Sequence, residues 1–324
     1  MEYFREELFP CVSLTAVQTD KFKTGCMTAY LLTQLHRETA AENAVLPYVL
    51  RRGTKSLPDM RRISERLDAL YGAEIEPSVR KLGEIQAVGF YAGFAEDAFL
   101  PGETDVLGEV ISLLSELWLS PATRGGLFLP AYVDSEREQL VERIERVKND
   151  KRSWAFRRLR ENMCAYATGA YGTADEAGSI HYVKLTKHYK ELLAVSPMEI
   201  FYCGSRPGKE VAAMLREAFA LLPRGEIDLD LGIDIRMNAV EEKPRYFTEE
   251  DEISQGARRR LPARRVHGRS RPGEAHRVQR RVRRGRHLKA LSECPRKALA
   301  LLLRLFEHRY AQGHHGGALR HRGR

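Results

Sequence analysis

Residues able to do chemistry are sparse in this 324-residue chain, and their spacing matches few reactive patterns. Five cysteines, Cys11, Cys26, Cys164, Cys203 and Cys294, are an odd number with no C-x-x-C spacing. They suggest neither a disulfide framework nor a zinc ribbon, and buried free thiols are the expectation. His181 and His188 stand seven apart and read as partly buried or surface side chains rather than ligands. His308, His314, His315 and His321 could chelate adventitious metal. The run G-T-A-D-E-A-G-S at 172–179 lacks the spacing and the lysine of a phosphate loop and reads as a turn. The glutamates of 136–145 read as the solvated face of a helix.

Composition narrows the classes. With 43% apolar and 30% charged residues the chain is of the soluble globular kind, which excludes a fibre or a disordered polymer. No apolar run reaches the roughly 18 residues that a membrane span needs. Glu2, Glu6 and Glu7 lie where a signal peptide would be basic and then apolar, so a cytoplasmic protein is expected. The net charge of +9 is unevenly placed. Residues 257–324 hold 21 Lys and Arg against 3 Glu and no Asp, a balance of +18, which leaves the first 256 residues at −9.

That tail has 19 Arg but 2 Lys, carries 7 of the 10 His, and contains no Asp, Asn, Thr, Ile, Met or Trp. A basic arm selected for phosphate neutralisation would mix Lys with Arg and admit small polar residues, since counterion release needs only charge and flexibility. Arg, Ala, Gly, Pro and His are instead what GC-rich DNA spells out of frame. Reverse-translated and read one base later, 257–267 is compatible with LAVGFRLGECM, 277–286 with VFNAVFGGGV and 287–306 with TSKLFLNVREKLSLCYYASS. The shifted reading alternates like strands and then turns helical, as the printed one does not. A frameshift at Gly256/Ala257 is the expectation, and a genuine Arg-rich disordered extension the alternative.

Upstream, the elements that must position any site form an α+β pattern. Strands are expected over 11–18 and 24–34 and a helix over 40–52. A second helix is announced by Ser56-Leu57-Pro58-Asp59, with Ser56 as the cap. Strands at 74–81 and 84–94 read as a hairpin turning at Leu82-Gly83 over a helical layer. Helices follow over 103–119, 132–149, 151–166 and 186–194, then a buried strand over Met198–Gly204 and a closing helix over 209–222. The domain reading is 1–223 as a first domain, 224–256 as linker and start of a second, and 257–324 as the out-of-frame, disordered tail. The fold class is an antiparallel sheet with helices packed on one face, followed by a disrupted second domain.

The order of strand pair, helix, Arg51-Arg52-Gly53-Thr54-Lys55, a capped helix ending in Leu70-Tyr71-Gly72-Ala73, and a hairpin resembles the N-terminal domain of the pitrilysin/insulinase metallopeptidases, the inverted-zincin class. Phe128, the Glu136-Arg137-Glu138 helix, Asn149-Asp150-Lys151, Tyr171-Gly172 and Phe201-Tyr202-Cys203-Gly204 extend the match. The shifted tail resembles the same family's second domain. Within the family the chain is similar to the non-catalytic member of a bacterial pair associated with elongation factor P modification. The resemblance implies an H-x-x-E-H helix whose two His bind zinc and whose Glu activates water. Registered on Gly53-Thr54, Ala44, Pro47 and Tyr48 occupy those positions. Arg143 aligns with the family's later Glu ligand, and a one-residue slip would offer Glu142 instead.

The resemblance therefore implies a zinc-less subunit with no catalytic residues, no metal and no cofactor of its own. It would pair as a heterodimer with a zinc-containing homologous peptidase and help form a chamber in which extended peptide is held as an added strand. Two other classes remain open: a nucleic-acid-binding protein using the Arg-rich tail, and an active peptidase using a different site.

Overall fold

Apolar and polar side chains alternate along the segments that become the longest strands, and a period of two places successive side chains on opposite faces of an extended chain. The computed structural model describes residues 2–101, 104–163 and 169–228. Strands β1 (Glu2–Phe9), β2 (Val12–Gln18), β3 (Thr24–Gln34), β4 (Glu74–Leu82) and β5 (Ile85–Ala95) are followed by a two-stranded ribbon of β6 (Thr123–Arg124) and β7 (Leu127–Phe128), then by β8 (Met198–Gly204). The helices are α1 (Arg37–Leu50), α2 (Met60–Ala69), α3 (Val106–Leu119), α4 (Pro130–Arg146), α5 (Lys151–Met163), α6 (Ala174–Gly178), α7 (Tyr182–Val195) and α8 (Gly208–Ala218).

The main sheet has six strands in the order β1-β2-β8-β3-β5-β4. Its pairs are antiparallel except β2 with β8, which run parallel because β8 enters from a long helical excursion. Register aligns Leu14, Ile200, Ala29 and Phe90 in one row across the middle strands. All four are buried, and the helix layer packs on their face. There α1 and α3 meet β5, α8 meets β1 and β2, and α7 meets β3. Trp118 of α3, fully buried, sets its ring edge-on to Phe90 at 5.2 Å, a geometry that aromatic quadrupoles favour. The opposite face carries Arg5, which donates to Thr15 at 2.7 Å and pairs with Glu199 at 2.9 Å.

Several local expectations need correction. Strand β1 falls within the acidic N-terminus and is not expected from the sequence, because Arg5, Glu6 and Glu7 hide its alternation; Glu6 lies in the Leu14 row and pairs with Arg216 of α8. The cap of α2 is Asp59, whose side chain accepts from the Arg62 amide at 2.9 Å, while Ser56 lies outside the helix. Residues 172–179 are more than a turn: Thr173 and Glu176 form a reciprocal capping box that starts the short helix α6. Past α8 the chain remains bonded to the domain beyond Pro223, since Arg224 donates to the Leu193 and Ser196 carbonyls. Among the described residues no helix is long and apolar enough to cross a membrane. The second-domain start at 229–256, the tail, Cys164, Cys294 and the tail histidines lie outside the described residues.

Candidate functional site

Helix α1 is buried on nearly every side, because it is sandwiched between the sheet and the helices α4, α6 and α7. Ala44 and Pro47 are fully covered and Tyr48 is half-buried. Pro47 lacks the amide proton that would bond the Asn43 carbonyl, so the helix loses one rung in its penultimate turn. Helix α4 crosses this face and brings Arg143 over Tyr48, with the guanidinium carbon 4.0 Å from the ring centroid. The same guanidinium stands 6.0 Å from the ring of Tyr171, in the turn before α6. Glu142, the alternative in the α4 register, is exposed to solvent. Burial pushes the Tyr48 phenol up to about 12, the neighbouring Tyr171 adds to the rise, and Arg143 opposes it.

A second polar group lies deeper. The Asn43 side-chain amide donates to Gln86 at 2.8 Å, and Gln86 in turn donates to the Ala40 and Ala170 carbonyls at 2.9 and 2.7 Å. His188 Nε2 meets Asn43 Oδ1 at 2.5 Å. Its Nδ1 stands 3.9 Å from Glu42, which is buried and paired with Lys184. Burial lowers the His188 pKa, and Glu42 and Glu191 only partly counter it. This is a satisfied core histidine, held by two α1 side chains.

The remaining candidates are structural. His181 caps α7, accepting from the Val183 amide, and its ring packs on Tyr182. Glu136, which the sequence places on a solvated face, is 6% exposed and pairs with Arg52 at 2.5 Å, so one member of the glutamate run ties α4 to the segment after α1. The Gly53-Thr54 motif is a backbone crossing. A Cβ on Gly53 would lie 2.3 Å from the Pro58 carbonyl oxygen, and Thr54 bridges to Pro121. Cys26 and Cys203 are buried and opposite each other across β3 and β8. Burial, with Glu96 nearby, pushes Cys203 up to about 11.

The family's zinc can be tested against these side chains. Ala44 and Pro47 offer no lone pair, Tyr48 is a neutral phenol, and Arg143 is a fixed cation that repels a metal. They do not fit the ion. Among the described residues no three His, Cys, Asp or Glu side chains gather where they could hold a metal.

No protein-family model matches the chain. It is 30% identical over 263 residues to the probable inactive metalloprotease YmfF of Bacillus subtilis (strain 168), a match covering 79% of this chain and 60% of that protein. Its structure is similar to a peptidase M16 inactive domain from Pseudomonas fluorescens, with TM-score 0.56 and 14% identity over 71% of this chain and 53% of that one. The chain thus resembles a probable inactive metalloprotease in sequence and shares the fold of M16 peptidase domains. A conserved protein from Enterococcus faecalis V583 shares this fold with TM-score 0.65 and 24% identity, covering 71% of this chain and 54% of the other. The chain spans about 60% of the length of the curated relative it matches.

Proposed function

We propose that this chain is a catalytically inactive M16-type subunit that pairs with a zinc-bearing homologue and helps hold extended peptide for it. The observation that carries this reading is the Tyr48–Arg143 stack: where the resemblance expects two ligands to converge on a metal, a phenol and a guanidinium face each other at 4.0 Å. The name of the curated relative, a probable inactive metalloprotease, supports it.

The reading includes a frameshift after Gly256. In support, residues 257–324 hold 21 Lys and Arg against 3 Glu and no Asp, while the first 256 residues carry a net charge of −9. The proposed organisation is a first domain over 1–223, a linker and start of a second domain over 224–256, and a tail over 257–324 that carries no selected function.

The test is co-expression of the chain, with its present tail and with the frame restored after Gly256, with an H-x-x-E-H-bearing M16 homologue. The expected outcome is no stoichiometric zinc and no peptide cleavage for this chain alone, and an active heterodimer with the restored chain. An interface of that kind commonly buries about 1,200 Å² or more around an apolar centre, which an Arg-rich tail does not provide. Chelator-sensitive zinc and turnover by the chain alone would overturn the reading. So would binding to nucleic acid that falls steeply with salt and vanishes on removal of 257–324, combined with failure to join the homologue.

A further inference from the structure

The stack has a second property. Among the described residues the Arg143 guanidinium has two aromatic neighbours but no carboxylate, carbonyl or hydroxyl accepting from it. The glutamate two turns earlier on the same helix, Glu136, is taken by Arg52 and cannot serve it. The buried side-chain nitrogens left without a partner belong to Arg51, Trp118 and Arg224. Arg143 itself is part-buried, and none of its nitrogens is among these.

A guanidinium plane fixed by stacking presents a fork of donors that matches a carboxylate, and a group already held in place loses little freedom when it binds. Tyr48 and Tyr171 add two phenols beside it. The turn carrying Tyr171 brings a second cation near, since Arg157 donates to the Gly172 carbonyl at 3.4 Å. We propose that Arg143, between Tyr48 and Tyr171, is a carboxylate-binding site that anchors a bound peptide through an acidic side chain or its C-terminal carboxylate. The phenol of Tyr48, pushed up to about 12 mainly by burial, stays protonated and is hydrogen-bonded with Tyr171 beside the guanidinium. The proposal rests on the reading that this chain holds peptide without cutting it.

The test uses the full chain and three labelled eight-residue peptides followed by fluorescence anisotropy at 150 mM salt. One contains four glutamates and an amidated C-terminus, one is its glutamine twin with the same amide, and one is the glutamine twin with a free carboxylate. We expect the glutamate peptide or the free-carboxylate peptide to bind the wild type at least about fivefold more tightly than the amidated glutamine twin. Arg143→Met should erase that preference. Arg143→Lys, which keeps the charge but loses the fork, should retain part of it, and it decides the matter if the Met variant does not fold. A preference unchanged in Arg143→Met would assign it to the tail's +18 charge and overturn the site. Equal binding of the three peptides would overturn the site while leaving the peptide-holding reading intact. No binding of any of them would overturn both.

Discussion

The guanidinium of Arg143 lies 4.0 Å from the centre of the Tyr48 ring, which ties helix α4 to helix α1 where the family resemblance expects a shared metal ion. A cation over an aromatic face contributes about 0.5–2 kcal/mol depending on how dry the contact is. Two elements that a metal would have bridged are thus held by an interaction that needs none.

That contact makes the engineering of a metal site a test of register. The triple change Ala44→His, Pro47→Glu and Tyr48→His should still bind far less than one zinc per chain after dialysis, because Arg143 leaves a positive charge at the third ligand position. Adding Arg143→Glu should raise the zinc content measured by elemental analysis. Stoichiometric zinc in the triple variant would show that Arg143 does not face the site.

Acid should destabilise the domain through His188. Burial lowers its folded pKa below the usual value near 6.5, so between the two values the unfolded chain binds the extra proton. The stabilising contribution is complete above about pH 6.5 and is lost as pH falls from there toward the folded pKa. Glu42, Lys184, Glu191 and Asn43 are the groups facing it. Thermal melts between pH 8 and 5 should show the melting temperature dropping below about pH 6.5. His188→Gln should flatten that slope, and an unchanged slope would remove His188 from the explanation.

Two glycines should respond oppositely to alanine. A Cβ on Gly89, in the central strand β5, would lie 1.9 Å from the Ala29 carbonyl oxygen, so Gly89→Ala must displace β3 from β5 and should cost about 2 kcal/mol or more. Around Gly178, at the end of α6, a Cβ meets nothing within 4 Å. Gly178→Ala should be neutral or stabilise by up to about 1 kcal/mol. Urea unfolding of both variants decides, and a Gly89→Ala protein as stable as the parent would contradict the β3–β5 register.

Thiol reactivity should separate the described cysteines. Cys11 is partly exposed, whereas Cys26 and Cys203 are buried and Cys203 is pushed up to about 11. Only thiolates alkylate quickly. Iodoacetamide at pH 8 followed by peptide mapping should label Cys11 first, and Cys26 and Cys203 only in denaturant. Rapid labelling of Cys203 in the native protein would mean that the β3–β8 centre opens.

The elements themselves are legible wherever one pattern dominates. The strand Thr24–Gln34 agrees with its expected bounds, and the hairpin of β4 and β5 falls within a residue of them, because β3 and β5 carry no charge and the β4 charges Glu74 and Glu76 fall on exposed positions flanking buried Ile75. The strand Glu2–Phe9 is hidden in the sequence, since Arg5, Glu6 and Glu7 mask its alternation and the partner of Glu6, Arg216, lies far along the chain. Glu136 reads as solvated for the same reason: nothing near it in sequence reveals that Arg52 neutralises it in a buried position.

At the site, the residue types at 44, 47 and 48 are decisive in themselves, because no packing can give alanine or proline a metal-binding lone pair. What the sequence alone leaves open is whether Arg143 or Glu142 looks at them. One residue is about 100° of rotation on a helix, and only the docking of α4 on α1 chooses the angle, placing Arg143 over Tyr48 and Glu142 in solvent. The meeting of Asn43, Gln86 and His188 likewise belongs to the tertiary structure, since it joins a helix, a strand and a second helix whose local patterns are independent of one another. Local periodicity records which face of an element is buried, and only packing determines which buried groups satisfy each other.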